Sequence, residues 1–232
     1  MQRNEIHIPV LRHGQFDGPG AHNRTFENFV RSLSNESRSY PLTELGRSQV
    51  IETMRQIPNY KRIDLIIVSK FLRTQQSAQV ISDEIEIETG CKVETFKNDL
   101  LDMIWMPTDS LTETEFTELE QTGNKNAVAE AMFQKWADGQ VGESPEMVEG
   151  RINTFLSYLK EIIDKKSSIQ PVVITHASFA GAMQRCLQGL SLTSPRNEEQ
   201  ILKVAGYYFL VVNGDLTKEN FNVNLLREKF LA

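Results

Sequence analysis

The sequence predicts a three-layer α/β/α sandwich with a mostly parallel, Rossmann-like central sheet. Short apolar runs at 64–69 and 171–175 are typical of strands that are buried on both faces of a parallel sheet. These runs alternate along the chain with helical patterns, which is the order of elements in α/β proteins. The 232 residues suffice for one well-cored domain and contain no internal repeat or clear linker, so we expect a single domain over 1–232.

The first strand is predicted from Ile6, Ile8 and Val10, which are apolar at a period of two. This strand ends at Arg12-His13-Gly14. From 14 to 40 the chain loses periodicity and gathers Gly, Pro, Asn and Ser, which predicts a long loop with a short helix at 26–33. Loops of this length in a compact domain are usually functional, and this one leaves directly from the histidine.

A helix is predicted directly after Thr43, which is a good N-cap residue. Its buried stripe is expected to contain Leu45, Val50, Ile51 and Met54. A second, longer helix is predicted to begin at Ser144-Pro145, because a capping serine followed by proline is a strong helix start.

The remaining elements continue the alternation of strands and helices. A strand that ends in His176 is followed by a helix start of small residues at Ala177. The segments 14–40 and 99–142 are interpreted as excursions over the carboxyl edge of the sheet. Further strands are expected at 64–69, 92–96, 207–212 and 221–225, further helices at 70–90, 112–121 and 127–138, and a turn at Asn213-Gly214.

Composition excludes several classes of partner. A net charge of −6 argues against nucleic acid or an anionic membrane, and no apolar stretch approaches membrane-spanning length.

The N-terminus enters the first strand without an apolar signal core. Cys91 and Cys186 lie far apart without metal-ligand spacing, which favours a reducing compartment and buried packing roles. We therefore expect a cytoplasmic protein, for which the sequence leaves a homodimer open.

Basic and imidazole side chains stand where the predicted strands end. Arg12 and His13 end the first strand, His176 ends a later one, and Arg73 lies at the helix start after a third. Because parallel strands end at the same edge of a sheet, these side chains are expected to converge. Two guanidinium groups and two imidazoles near helix N-termini form a site suited to phosphate, and a histidine can attack the phosphoryl group itself.

At this point the chain resembles a known family, the histidine phosphatase superfamily of the phosphoglycerate-mutase-like, branch 1 type. The resemblance covers nearly the whole chain and rests on motifs in the right order. They are Leu11-Arg12-His13-Gly14, the stretch from Pro41 to Gln49, Ser69 with Arg73 to Ala78, Gly142-Glu143-Ser144 with Arg151, and Val173 to His176.

The resemblance implies the role of each site residue. His13 would attack phosphorus through a neutral ring nitrogen, and Arg12, Arg73 and His176 would bind the phosphoryl oxygens. The backbone N–H of Ala177 is a further donor, and Gln15 is a minor phosphate contact. The resemblance implies no metal or other cofactor. The expected substrate is a small-molecule phosphomonoester.

The resemblance also implies a carboxylic acid that protonates the leaving oxygen. Alignment on Leu100-Leu101-Asp102 places Asp102 there, where the family more often has glutamate. The local pattern then departs from the family at Trp105-Met106-Pro107-Thr108, so Asp99, Asp109 and Glu113 stay open as alternatives. A second departure is Pro19, which stands where the family often has a phosphate-binding asparagine; Asn23 could replace that asparagine only if the loop bends back.

The same residues also bear on three other functions. The serine in His176-Ala177-Ser178 resembles the nucleophile elbow of an α/β-hydrolase, but that class needs a histidine later in the sequence and none follows. A phosphate-binding pseudo-enzyme requires that the acid be missing. Within the family, mutases carry a Glu-Arg-His-Tyr type stretch where this chain has Asp102-Met103-Ile104-Trp105, so a phosphatase is favoured over a mutase. Glu143 is either a helix-cap residue or a pocket residue.

Overall fold

The computed structural model describes residues 6–19, 24–124, 127–166, 168–194 and 204–212, together with the backbone of 221–224. Within these residues the structure is built on a six-stranded sheet in the order β3-β2-β4-β1-β5-β6. The strands are β1 (Ile6–Arg12), β2 (Leu65–Val68), β3 (Glu94–Lys97), β4 (Pro171–Thr175), β5 (Tyr207–Val212) and β6 (Phe221–Asn224).

The sheet is mostly parallel, as the sequence predicted. Strands β3, β2, β4 and β1 are neighbours that run in one direction, and β5 joins the edge of β1 antiparallel. β6 then pairs antiparallel with β5. The turn predicted at Asn213-Gly214 lies outside the described residues. The fold class is therefore confirmed as α/β.

Helices cover both faces of the sheet. Thr43 and Ser144 are N-cap residues, as predicted, and accept hydrogen bonds from Gly46 N and Met147 N. Gly90 ends its helix with a φ of 72°, a conformation that glycine adopts at little cost. The helices are α1 (Phe26–Leu33), α2 (Glu44–Gln56), α3 (Leu72–Thr89), α4 (Glu113–Gln121), α5 (Ala127–Ala137), α6 (Pro145–Lys165) and α7 (Ala177–Leu187).

The apolar core divides into one cluster on each face of the sheet. In β2, Ile67 belongs to the cluster that contains side chains of α6 and α7, whereas Ile66 belongs to the cluster with side chains of α2 and α3. Successive residues of a strand point to opposite faces, so a run that is buried throughout must have cover on both sides. The three-layer arrangement follows from this.

Two burial expectations from the sequence are wrong. Leu45 is 57 % exposed because α2 buries Gly46, Val50 and Met54, which are four residues apart and share one face. Leu45 lies one residue, about 100°, away from that face. Cys91 is exposed as well, since it follows the Gly90 helix end in the turn that leads to β3.

The two excursions predicted at 14–40 and 99–142 pack against each other. A small apolar cluster joins Phe26 and Phe29 of α1 to Phe116 of α4 and Met132 of α5. This cluster holds the segment after α1 close to the segment after β3, and both contact the site described below. No helix in the described part of the chain is long and apolar enough to cross a membrane.

Candidate active site

Strand pairing brings the two predicted histidines together. Arg12 of β1 is in register with Thr175 of β4, so His13 and His176 follow side by side at the ends of adjacent parallel strands. His13 N donates a hydrogen bond to Thr175 O at 3.2 Å, and the two imidazole centroids lie 5.2 Å apart. The convergence that the strand-end rule predicted is present in the structure.

Arg73 connects the two imidazoles. It lies in the first turn of α3, and its Nε donates to His13 Nε2 at 3.1 Å. Its Nη2 lies 3.3 Å from His176 Nδ1, and its Nη1 donates to Ser37 O at 2.5 Å. The rings of Phe16 and Phe71 each lie 4.6 Å from the Arg73 guanidinium carbon, so the cation is held among aromatic faces.

These contacts fix the tautomer of each histidine. His13 Nδ1 lies 2.7 Å from Gly14 O, an oxygen that can only accept, so the proton is on Nδ1 and the lone pair is on Nε2. His176 Nδ1 must accept from Arg73, because a guanidinium can only donate. His176 Nε2 therefore carries the proton and donates to Ser69 Oγ at 2.8 Å.

The electrostatics of the site favour neutral imidazoles and an anionic ligand. Burial, followed by the positive charges of Arg73 and Arg12, holds the pKa of His13 well below its ordinary value. Burial also lowers the pKa of His176 well below its ordinary value, with contributions from His13 and Arg73. Burial lowers the pKa of Arg12 to about 10, and burial together with the charge of Arg12 lowers the pKa of Arg73 to about 10. An anion placed between these groups would offset that cost.

Two glycines allow the loop after His13 to approach α2. A Cβ on Gly14 would lie 2.2 Å from Gly46 O, and a Cβ on Gly46 would lie 2.0 Å from Gln15 O. The backbone of Gln15 is bound on both sides, with Gln15 N donating to Gln49 Oε1 and Gln15 O accepting from Thr43 N. The N-terminus of α2 thus fixes the backbone that orients His13.

Asp102 is the buried carboxylate among the four acid candidates. Its Oδ1 accepts from Lys70 N at 2.9 Å and its Oδ2 from Arg38 Nη1 at 3.1 Å. The negative charge of Asp102 acts on Arg73, the guanidinium between the two histidines, and partly offsets the lowering of its pKa by burial. Asp99 is exposed and binds Lys70 Nζ, and Asp109 and Glu113 are also exposed.

A cleft with a cavity volume of about 280 Å³ adjoins Asp102. Its wall is both apolar and cationic, since Met103 and Trp105 line it together with Arg38 and Arg151. Trp105 is 56 % exposed, so its ring is available to a ligand. The cleft does not extend to His13. It therefore offers room for the group that carries a phosphate, beside the candidate acid.

Other residues singled out in the sequence lie around the cleft and the two histidines. Arg151 forms an ion pair with Glu143 at 3.0 Å and stacks over Phe179, so Glu143 faces a buried cation near the cleft and does not act only as a helix-cap residue. Ala177 begins α7 directly after His176, and its N–H lies at the positive end of that helix. Pro19 is half-buried in the loop after His13, and Asn23 lies outside the described residues.

Three residues that contact the site received no role from the sequence, although Ser69 was named among the motif residues. Ser69, which binds His176, directly follows β2, so the strand-end rule that selected the histidines could have selected it too. Ser37 and Arg38 come from the irregular segment after α1, where no periodicity marks them. The contact made by Ser37 is through its backbone carbonyl, which no residue pattern reports.

Comparisons with known proteins agree with this geometry. The family described as histidine phosphatase superfamily (branch 1) matches residues 8–220. A mycobacterial glucosyl-3-phosphoglycerate phosphatase superposes with a TM-score of 0.59 at 18 % identity, over 95 % of this chain and 97 % of that chain. The protein histidine phosphatase SixA complexed with tungstate gives a TM-score of 0.53 at 14 % identity, over 94 % of each chain.

Comparison with curated protein sequences gives no match. The structural likenesses are below 25 % identity and show a shared fold. The family match is of a different kind, because it is a match of the sequence itself over residues 8–220, which is most of the chain. On that match, the chain belongs to branch 1 of the histidine phosphatase superfamily.

Proposed function

We propose that the protein is a phosphomonoester hydrolase that acts on a small phosphorylated metabolite through a phosphohistidine at His13. The observation that carries the proposal is the orientation of His13. Its Nδ1 is bound to Gly14 O, its Nε2 lone pair faces Arg73, and its pKa is lowered by burial. A neutral imidazole with its lone pair on Nε2 is the form that attacks phosphorus, and the incoming phosphoryl group displaces the Arg73 Nε contact from that lone pair.

The first half-reaction is phosphoryl transfer to the enzyme. Arg12 and Arg73 neutralise the phosphoryl oxygens, with the N–H of Ala177 as a further donor, and neutral His176 orients Arg73 by accepting from its Nη2. His13 Nε2 forms a bond to phosphorus as the bond from phosphorus to the leaving oxygen breaks. Asp102, as the carboxylic acid, gives its proton to that oxygen, which leaves as an alcohol.

The second half-reaction is hydrolysis. The Asp102 carboxylate takes a proton from water as the water oxygen bonds to phosphorus and the bond to His13 Nε2 breaks, which releases inorganic phosphate. The cleft beside Asp102 accommodates the leaving group in the first step and water in the second. The tungstate in SixA supports an oxyanion as ligand of this fold, since tungstate is tetrahedral like phosphate.

The test is acid-labile labelling with a radioactive phosphate donor. The wild-type chain is expected to gain label at His13, and His13→Ala is expected to lose both the label and turnover. Phosphatase activity that persists in His13→Ala would contradict the proposal. His7→Ala, which replaces an exposed histidine of the same strand, is the matched control and keeps both.

The acceptor of the phosphoryl group is tested separately. The enzyme is incubated with phosphoglycerate and bisphosphoglycerate, and phosphate release is compared with interconversion of the two. We expect phosphate release to dominate, because water is the acceptor in a phosphatase. Efficient interconversion would show instead that a second substrate hydroxyl accepts the group, as in a mutase. A screen of sugar phosphates, nucleotides, phosphoglycerates and phosphopeptides then ranks the substrates.

A further inference from the structure

The candidate site is closed over its own reactive atoms. His13 is 4 % exposed, and Arg73 and His176 are each 2 % exposed. The segment 34–40, which includes a short 3₁₀ helix at Asn35–Ser39, contacts Arg73. Its Ser37 carbonyl occupies Arg73 Nη1, one of the donors that a phosphoryl oxygen would need. A phosphoryl oxygen therefore gains the Arg73 Nη1 donor only if this segment moves.

The same segment also occupies the candidate acid. Arg38 Nη1 donates to Asp102 Oδ2, while Lys70 N donates to Asp102 Oδ1. Both carboxylate oxygens are thus acceptors in the closed arrangement. A carboxyl group that gives a proton to a leaving oxygen must have one oxygen turned toward that atom. The contact from Arg38 occupies Oδ2, the Asp102 oxygen that is not bound to the backbone of Lys70, and so competes with a leaving oxygen for it.

The segment is held in place mainly by polar contacts. Of residues 35–39 only Ser37 is buried, and none of the five is apolar. The Arg38 guanidinium carbon lies 5.0 Å from the Phe71 ring, and the Tyr40 ring stacks on Phe16 at 6.4 Å. Segments with little buried apolar surface open at low free-energy cost. This one can therefore move while the sheet stays intact.

We propose that the 34–40 segment is a lid that a phosphoryl group displaces, with Arg38 as the residue that holds it closed on Asp102. A phosphate dianion accepts charge-assisted hydrogen bonds from Arg73, and these are stronger than the bond that Arg73 donates to the neutral Ser37 carbonyl. It therefore competes with Ser37 for the same donor. Because the lid also lines the cleft beside Asp102, its displacement opens the space for the leaving group. This proposal depends on the proposed function in one respect only, which is that the ligand that displaces the lid is a phosphate.

Thiol reactivity at position 37 tests the movement. Ser37→Cys places a thiol where the side chain is 4 % exposed, so we expect slow reaction with a small thiol reagent, followed by peptide mass spectrometry. Inorganic phosphate should increase the rate about fivefold or more, since an open lid exposes the thiol. Ser39→Cys is the matched control, because Ser39 is already exposed and its rate should not change.

Phosphate binding is followed in the same samples through the imidazole resonances of His13. If phosphate shifts those resonances while the thiol introduced by Ser37→Cys reacts at the same rate or more slowly, the lid proposal is wrong and the proposed function stands. If phosphate does not reach His13, the proposed function fails. The lid is then judged by the experiment below, which needs no phosphate.

The role of Arg38 is tested by adding Arg38→Ala to Ser37→Cys. Loss of a half-exposed ion pair is expected to speed thiol modification about threefold without phosphate, and Arg38→Lys should restore part of the protection. Arg38→Ala should have no further effect when Asp102→Asn is already present, because the two residues act as one contact. Arg55→Ala, which removes an ion pair between α2 and α3, is the control and should leave the rate unchanged. An unchanged rate in Arg38→Ala would contradict the proposal.

Discussion

At the scale of single residues, backbone carbonyls decide which atoms of the site are available. Gly14 O accepts from Nδ1 of His13, which leaves the lone pair on Nε2 facing Arg73 Nε, while Ser37 O accepts from Arg73 Nη1. The side chains alone would allow either tautomer and either guanidinium orientation. The direction of attack is thus set by the backbone around His13.

The leaving-group dependence of Asp102→Asn tests the assignment of the acid. An amide cannot give up a proton, so turnover of alkyl phosphates is expected to fall by about 10²–10⁴-fold. Aryl phosphates with acidic phenols need little protonation and should lose less than about tenfold. The measurement is kcat for one alkyl and one aryl phosphate in both proteins.

Asp109→Asn is the control for that comparison, because Asp109 is exposed and is not among the residues that line the cleft beside Asp102. It should retain the wild-type ratio of alkyl to aryl turnover. Equal losses on the two substrates in Asp102→Asn would assign proton donation to another group. The inference about Asp102 would then have to be withdrawn.

At the scale of elements, the position of His13 depends on contact between a loop and the start of α2. Gly14 and Gly46 face each other so closely that a Cβ on either would lie within 2.2 Å of backbone of the other segment. Neither glycine has a positive φ, so the requirement is proximity rather than backbone conformation. The two glycines act as one packing contact.

Gly46→Ala is therefore expected to lower both stability and activity. The methyl group must push the loop at Gln15 away from α2, and overpacking of this kind typically costs about 1–3 kcal/mol. Because that loop follows His13 directly, kcat should fall as well. Urea denaturation and steady-state kinetics measure the two effects.

Gly150→Ala provides the contrast for that experiment. Gly150 lies within α6, and a Cβ there meets no atom within 4 Å. Alanine is the better helix former by about 1 kcal/mol, so this variant should be more stable with unchanged kcat. If the two glycine variants behave alike, close packing at Gly46 is not what places the loop.

The elements also show how far sequence reasoning reaches. Burial imposes a period of two on β1 and an apolar run on β2, so both strands were predictable, and the N-cap at Thr43 marked α2. The position of Leu45 was not predictable, because the face that α2 buries is chosen by its packing partners. The lid could not be predicted from the sequence either. Ser37 acts through its backbone carbonyl, and nothing in the sequence distinguishes Arg38 from other exposed arginines.

At the scale of the whole molecule, the site is built into the sheet that stabilises the fold. His13 and His176 extend two central strands, and both imidazoles are buried and neutral. The unfolded chain exposes the same groups to water, where their pKa returns to its ordinary value near 6.5. Folding stability is therefore linked to the protonation of the site.

The sign of this linkage follows from the lowered pKa values. Between the folded-state pKa of each histidine and 6.5, the unfolded chain binds more protons than the folded chain, so stability rises with pH. The contribution is complete above pH 6.5 and is lost as pH falls below it. The slope is up to about 1.4 kcal/mol per pH unit for each histidine.

We expect the free energy of unfolding in urea to decrease from pH 7 to pH 5.5, and to decrease less steeply in His13→Gln and in His176→Gln. Glutamine does not titrate, so each variant removes the linkage of one histidine while keeping a polar side chain. Comparing slopes rather than absolute stabilities separates this effect from any packing change, which shifts the curve without tilting it. Equal slopes in wild type and both variants would mean that these imidazoles titrate alike in the folded and unfolded chains. The burial of His13 would then not explain why it is neutral, and nucleophilic attack depends on that neutral form.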